Sequence, residues 1–356
     1  MPTSMQRDEA FAAAVLAWFD RYGRKDLPWK TPVDPYRIWV SEIMLQQTRV
    51  QTVVAYFQRF MERFPDVRAL ADAPVDEALA LWSGLGYYAR CRNLHAAACV
   101  IRDQHQGCFP QTMDALRALP GVGRSTAAAI LAQAFGQRQA ILDGNVKRVL
   151  ARYALVEGWP GSTAVQHELW AIAERLTPTQ RVADYTQAMM DLGAMVCVRS
   201  RPLCAGCPVK ADCRALAQGR TGDVPAPKPK KALPERRKTW LVVRDPQGRV
   251  LLERRPPHGI WGGLWTLPEL DEDNDVEDWC DRCLDQPPMV RHTLDGVTHT
   301  FSHFRLHAQP HMLELARAGD TLRDDDRIHW HELGASLPGG VPAPVARLLE
   351  RLPDVR

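Results

Sequence analysis

From the N-terminus to residue 224, apolar positions return every three or four residues. Leu79–Leu81, Leu94–Ile101, Met113–Leu119, Thr126–Phe135, Val146–Leu155 and Ala164–Leu176 carry this spacing or strong helix formers, which predicts helices. FAAAVLAWF, behind Asp8 and Glu9, predicts an amphipathic helix, and YRIWVSEIMLQQT and DYTQAMMDLGAMV predict two more. The pattern breaks at PAPKPKKALPERRK, residues 225–238, where four prolines among basic residues predict a semi-rigid, solvated linker. Beyond it, WLVV (240–243) and RVLLERR (249–255) flank a DPQG turn and predict a β-hairpin. The expected architecture is multidomain: an all-α domain over 1–224, a linker over 225–238, and an α+β domain over 239–356.

Hydrophobic residues make up 46% of the chain and charged residues 24%, the composition of an ordinary soluble protein. FAAAVLAWF is too short to span a bilayer and lacks a secretory cleavage pattern, so a cytoplasmic location is expected. The net charge of +3 conceals an asymmetry. Residues 1–231 hold 29 Lys and Arg against 21 Asp and Glu, whereas residues 232–356 hold 16 against 21. The helical part is therefore a candidate polyanion binder.

Cys197, Cys204, Cys207 and Cys213 lie in one loop rich in Pro, Gly and Arg, with gaps of six, two and five residues. In a cytoplasmic protein such a cluster points to metal and away from disulfides. Four thiolates suit either structural zinc or a [4Fe–4S] cluster. Zinc sites tend to pair two C-x-x-C knuckles, and only one is present here, which favours iron–sulfur. Asp212, Arg199, Arg201, Lys210 and Arg214 surround the cysteines; the mostly cationic loop suits a phosphate contact and is also an ordinary solvated basic loop. Cys280 and Cys283 form another C-x-x-C, but no partner pair is near, and the spacing reads as coincidence.

LPGVGRSTAAAIL (119–131) is neither a Rossmann fingerprint, which needs a third glycine after a strand, nor a Walker loop, which needs Lys before Ser or Thr. The preceding TMDALRALP reads as a helix with Thr112 as N-cap. The motif is thus helix, hairpin, helix, with Gly121 and Gly123 permitting positive φ and close backbone approach. Such a hairpin offers N–H groups to a polynucleotide phosphate without reading bases, and it is also an ordinary helix–helix turn. Glu42 has Ile38, Trp39 and Leu45 as helical neighbours, so its carboxyl is either desolvated and able to hold a proton near neutral pH or reaches water past the helix edge. Asp143, in AILDGNVKRVLARY, is either a helix N-cap or a fixed carboxylate facing a developing cation. Loss of a base from a sugar passes through an oxocarbenium-like state that two such carboxylates serve.

With these residues assembled, the chain resembles the adenine-DNA glycosylase (MutY) family of the endonuclease III helix–hairpin–helix superfamily. SEIMLQQT, GLGYYAR, LPGVGRST, LDGNVKRVL, AMMDLGAM, the four-cysteine loop, WGGLW and HTFSHF carry the likeness along nearly the whole chain. The resemblance implies that Glu42 protonates adenine N7 and later activates water. It implies that Asp143 stabilises the oxocarbenium ion and that Asn145 supports the site. Gln47 and Tyr88 would insert into duplex DNA beside 8-oxoguanine while adenine is flipped out, and the hairpin at Gly121 and Gly123 would hold the backbone. Cys197, Cys204, Cys207 and Cys213 would bind one [4Fe–4S] cluster. Bifunctional relatives carry, at the position of Ser125, a lysine that forms a Schiff base. A serine cannot make that imine, so a monofunctional glycosylase that leaves the strand intact is expected. Lys30 receives no role.

The C-terminal part resembles the Nudix-related domain of that family. The R-E-x-x-E-E run by which Nudix hydrolases hold Mg²⁺ is absent from DEDNDVEDWCDRCL, so recognition without hydrolysis is expected. His299, His303, His307 and His311 recur every four residues, but HTFSHFRLH reads as strand and turn, not as a metal site. By resemblance, Phe301, Ser302 and His303 form the loop that recognises 8-oxoguanine. The expected partner is duplex DNA with an A:8-oxoguanine or A:G mispair, bound by a monomer near the nucleoid, with no membrane involved. Two alternatives stand: a glycosylase/lyase for oxidised pyrimidines, disfavoured by Ser125, and a non-catalytic iron–sulfur protein, disfavoured by Glu42 and Asp143 occurring together.

Overall fold

The computed structural model describes residues 4–229, 232–271, 275–284, 286–317 and 327–352. Residues 230 and 231 of the expected linker and 272–274 of the acidic stretch lie outside these. Two compact units form: Met1–Asp72 with Asn93–Lys230, and Ala73–Arg92 with Lys231–Arg356. Chain order and packing therefore differ, because a segment expected in the helical domain packs with the C-terminal unit.

The helices run in order α1 (Ser4–Tyr22), α2 (Pro35–Leu45), α3 (Val50–Arg63), α4 (Val67–Asp72), α5 (Val75–Leu81), α6 (Ala89–Gln104), α7 (Met113–Arg117), α8 (Arg124–Phe135), α9 (Gly144–Ala154), α10 (Thr163–Leu176), α11 (Val182–Met195) and α12 (Arg214–Ala217). Each helix expected from the apolar spacing is present, and α5 alone of them belongs to the second unit. Local chemistry sets their ends. Asp34 caps α2 by accepting from the Arg37 N–H at 2.9 Å, with Pro35 fixing the first turn. Thr112 caps α7 as expected, and Gly136 ends α8 in the left-handed region at φ 65°. In the first unit α1, α8, α9, α10 and α11 enclose one core around Val15, Ala128, Leu142, Leu150, Leu169, Ala188 and Leu192. No helix among the described residues is long and apolar enough to cross a membrane.

The second unit is an α+β fold around one sheet. Its strands are β1 (Glu235–Arg244), β2 (Val250–Arg254), β3 (Trp265–Thr266), β4 (Glu269–Asp271), β5 (Val290–Thr293), β6 (Val297–Thr300), β7 (Arg305–Glu314) and β8 (Ile328–His331). The order β3-β2-β1-β7-β5 runs across the sheet, and β4, β6 and β8 pair off this path with β1, β7 and β2. The expected hairpin forms, with Arg244 opposite Val250. Strand β1 begins at Glu235, so the last four residues of the expected linker are strand, paired in parallel with Arg305–Ala308 of β7. Alternation sends Trp240, Val242, Leu306 and Ala308 into one core, closed by α14 (Ala343–Leu349). It sends Leu241, Val243 and Leu313 into another, closed by α13 (Val276–Cys283). Cys280 is buried in that second core, a packing role that accounts for it without a metal.

In the first unit Phe57 is fully buried, edge-on to Trp29 at 5.4 Å and beneath the Arg37 guanidinium at 5.2 Å. Truncation there leaves a cavity and strands the cation above it, so Phe57→Ala is expected to cost about 3–5 kcal/mol. Urea unfolding of parent and variant measures it.

Candidate active site

Glu42 lies on α2, half-buried, on the side that meets α8. Its Oε1 accepts a hydrogen bond of 3.0 Å from Gln133 Nε2 of α8. Removal from water pushes the Glu42 pKa up to about 7, and the negative charge of Asp143 adds to the rise. The Gln133 hydrogen bond and the Lys30 cation oppose it without cancelling it. At neutral pH this carboxyl is divided between its two protonation states.

Asp143 is the N-cap of α9, and its Oδ1 accepts from the Val146 N–H at 2.8 Å. The capping alternative is thus realised. It fixes the carboxylate in one orientation without removing it from the site, since its charge is felt at Glu42. Burial raises the Asp143 pKa, opposed by the backbone N–H groups of Val146 and Asn145 and by the nearby Arg148 and Lys147 cations. Ser125, in the first turn of α8, accepts a 3.0 Å hydrogen bond from the Leu142 N–H, one residue before Asp143. Asn145 Oδ1 accepts from Arg148 Nη2 at 2.9 Å. Arg148 also donates to the carbonyls of Gly193 (2.6 Å) and Cys197 (2.7 Å). A Cβ on Gly193 would stand 2.6 Å from that of Asn145, so only glycine lets α11 approach α9 this closely.

Gln133, the hydrogen-bond partner of Glu42, lines a cavity of about 450 Å³ together with Phe19, Lys30, Ile38, Arg181 and Asp184 among others; Glu42 and Asp143 are not themselves in its wall. Burial lowers the Lys30 pKa, while Asp191, Asp184 and Glu42 pull it the other way. Sequence reasoning passed over three further groups here. Asp191, wholly buried on α11, accepts from the Arg24 backbone N–H at 2.7 Å, from the Arg24 side chain at 2.6 and 3.0 Å, and from Gln187 Nε2 at 2.7 Å. The signal was available in QAMMD, where two polar residues four apart interrupt an apolar helix face.

The α7–α8 connection presents Gly121 and Gly123 to solvent while Val122 is buried and anchors the turn. Gly121 has φ 75°, and a Cβ there would stand 2.8 Å from that of Asn93. Gly123 has φ −86° and extended ψ, so positive φ is required only at the first glycine. No side chain caps the α8 N-terminus, which leaves its first amides facing out. Gln47 is exposed, with its backbone in the left-handed region at φ 60°. Tyr88, expected to enter a duplex, is 8% exposed, and its hydroxyl donates to the Val341 carbonyl at 3.0 Å. Tyr87 is the outward residue, 54% exposed with φ 51°. The stretch GLGYYAR does not by itself separate the two, because a turn has no period to say which neighbour faces out.

Cys197, Cys204, Cys207 and Cys213 line one pocket with Val149, Tyr153, Val196 and Val209. No three His, Cys, Asp or Glu side chains among the described residues converge closely enough to hold a single metal ion. Four cysteines around one apolar pocket are a donor set that would fit a [4Fe–4S] cluster. Arg152, buried on α9, donates to the carbonyls of Val198 (2.7 Å), Arg199 (3.0 Å) and Val224 (2.8 Å) and to Cys197 Sγ at 3.4 Å, holding this loop on α9. Arg199 and Arg201 face solvent.

In the second unit the β6–β7 turn carries Phe301, Ser302 and His303. Ser302 and His303 are exposed, with 3.4 Å between Ser302 Oγ and His303 Nδ1, and Phe301 stacks on Phe304 at 4.5 Å. His299 sits in β6, His303 in the turn, and His307 and His311 in β7, as the strand-and-turn pattern requires.

Residues 40–175 match the HhH-GPD superfamily base excision DNA repair proteins, and residues 239–351 match the NUDIX domain. The adenine DNA glycosylase of Buchnera aphidicola subsp. Baizongia pistaciae is 34% identical over 342 residues, covering 96% of both chains. The chain belongs to the adenine DNA glycosylase family. The human adenine DNA glycosylase is 35% identical over 370 residues, 86% of this chain and 67% of its own. A thermostable thymine-DNA glycosylase of known structure superimposes with TM-score 0.54 at 27% identity, over 60% of this chain and 97% of its own. Endonuclease III in a non-covalent DNA complex gives TM-score 0.51 at 21% identity over 62% of this chain and 99% of its own, a likeness of fold.

Because the folded pKa of Glu42 is raised above its ordinary value of 4.5, the folded state holds this proton more tightly than the unfolded state does. The stability tied to it is present below pH 4.5 and is lost as pH rises to about 7. Glu42→Gln removes that dependence. The variant is expected to unfold at higher urea than the parent at pH 8, by about 2–3 kcal/mol, with the gap closing at pH 4.5.

Proposed function

We propose that this glycosylase hydrolyses the N-glycosidic bond of adenine mispaired with 8-oxoguanine or guanine in duplex DNA. The observation that carries the reading is a carboxyl tuned to about pH 7 beside a cavity, with a second, fixed carboxylate close enough to raise it. Glu42 donates its proton to adenine N7 as the C1′–N9 bond breaks, and the bonding pair leaves with the base. Asp143, held by the α9 amides, faces the oxocarbenium ion that results. Water adds to C1′, and the Glu42 carboxylate takes its proton, restoring the acid. Flipping the nucleotide is what brings the base to such a cavity.

The remaining groups divide along the same lines. Asn145 and Ser125 hold the Asp143 loop, and since Ser125 has no amine to form an imine, the product is an abasic site in an intact strand. The exposed amides at Gly121 and Gly123 bind backbone phosphate. Gln47 enters the duplex, and Tyr87 takes the part that the resemblance gave to Tyr88. The four cysteines hold a [4Fe–4S] cluster that fixes the basic loop bearing Arg199 and Arg201 and takes no part in the hydrolytic step. The Nudix-like unit, with its Phe301–Ser302–His303 turn, reads 8-oxoguanine without hydrolysing nucleotides.

Single-turnover base release on A:8-oxoguanine and A:G duplexes tests this. The parent is expected to release adenine from both, to leave strands intact until alkali is added, and to give no borohydride-trapped adduct. Glu42→Gln is expected to lose at least 100-fold in rate, and the parent rate is expected to fall as pH rises through about 7. A Gln variant as fast as the parent removes the acid assignment. Tyr87→Ala is expected to weaken DNA binding more than Tyr88→Phe does, as gel-shift titration reads directly.

A further inference from the structure

The motif WGGLW (261–265) is left without a task by the chemistry above. Trp261 has φ 55°, a left-handed backbone conformation that a bulky residue adopts only when its surroundings impose it. They do so here. A Cβ on Gly262 would stand 2.5 Å from the Pro257 carbonyl oxygen, so the chain is folded tightly back on itself. The Gly262 carbonyl accepts from Arg92 Nη1 at 2.7 Å, and the Gly263 N–H donates to the carbonyls of Arg255 and Pro256, both at 3.1 Å. The turn thereby delivers one indole ring to one place. Its centroid lies 5.2 Å from Phe301, 5.7 Å from His299 and 6.0 Å from Trp240. On its other side Phe301 stacks on Phe304, nearly parallel at 17°, and the Arg236 guanidinium sits 4.6 Å from the Phe304 ring. Phe301 is therefore clamped within a column of rings that runs from Arg236 through Phe304 and Phe301 to Trp261 and Trp240. Ser302 and His303, the next two residues, are held outward by that clamp.

We propose that Trp261 is a positioning residue for lesion recognition. By fixing the Phe301 ring it fixes the backbone from which Ser302 and His303 project, and so sets the preference for 8-oxoguanine over guanine opposite adenine. The inference rests on the reading that this turn contacts the opposite base. Aromatic pairs of this geometry are directional, so losing one ring releases orientation as well as buried area.

The experiment measures kcat/KM on A:8-oxoguanine and A:G duplexes for the full-length parent, Trp261→Ala, Trp261→Phe and the double variant Ser302→Ala/His303→Ala. Trp261→Ala is expected to lower the 8-oxoguanine preference about ten-fold, toward that of the double variant, with the change in KM and not kcat. Trp261→Phe, which restores a ring, is expected to recover most of the preference. If the double variant loses the preference while Trp261→Ala keeps it, the positioning role is wrong and the reading of the turn stands. If the double variant keeps the preference, the reading of the turn itself fails. Equal losses on both duplexes, tracking a lower melting temperature, would make Trp261 merely structural and overturn the proposal. Should Trp261→Ala fold poorly, Trp261→Leu, which fills most of the space without a ring face, is read against the same outcomes.

Discussion

Everything at the site depends on two carboxyl groups being held near one another where water is scarce. Bringing negative charges together out of water is unfavourable, and a chain free to relax would separate them. Two devices prevent separation. Glu42 is fixed by α2, whose inner face is packed at Trp39, Val40, Ile43 and Met44, and by the Gln133 amide. Asp143 is fixed because the first turn of α9 needs an N-cap. The cap both compensates the carboxylate for lost solvent and tells it where to point. The burden of ionisation then falls on Glu42, which has one amide donor where Asp143 has backbone N–H groups and two cations. On the proposed reading, that asymmetry suits the group with fewer donors to hold the proton and the group with more to carry the charge.

Support for Asp143 comes from several directions, and each strand of it is short. Ser125 ties the preceding residue to α8. Arg148 ties Asn145 to α11 and to the first cysteine of the loop, and Arg152, one turn further along α9, ties the rest of that loop to the same helix. Helix α9 is thus loaded at its N-terminus by the site and along its length by the cysteine loop. Two arginines thus hold the start of that loop on the helix that Asp143 caps. Gly193 makes this possible, since any larger residue would push α11 off α9 at the level of Asn145.

The sequence made much of this readable, and the exceptions have physical causes. Helical spacing located nine helices because each buries one face. It did not announce α3, where QTVVAYFQRFMERF mixes β-branched and aromatic residues that suit strand and helix alike. The desolvation of Glu42 followed from its i−4, i−3 and i+3 neighbours, because a helix fixes where those lie. The buried Asp191 network did not follow, because it depends on which helix packs opposite α11. Tyr87 and Tyr88 show the limit most sharply. In a helix or strand the period says which neighbour faces out, whereas the turn before α6 has no period, and only the Tyr88 hydroxyl bond to Val341 decides. By contacts the segment Ala73–Arg92 groups with the C-terminal unit, although it lies within the stretch 40–175 that matches the HhH-GPD family.

Lys30 shows how finely the site is balanced. A cation beside Glu42 would ordinarily hold the carboxyl well below neutrality and remove the acid. Burial lowers the Lys30 pKa, while Asp191, Asp184 and Glu42 oppose that. Its influence on Glu42 comes after those of burial, Asp143 and Gln133. A cavity walled by two lysines, an arginine and two aspartates would look hostile to a neutral carboxylic acid if charges were merely counted. Solvation decides otherwise. The exposed Asp20 and Asp184 pair with Arg181 at the rim, and the exchange among Lys30, Asp191 and Arg24 absorbs charge deeper in. Removal from water remains the largest influence on Glu42 and holds its pKa up.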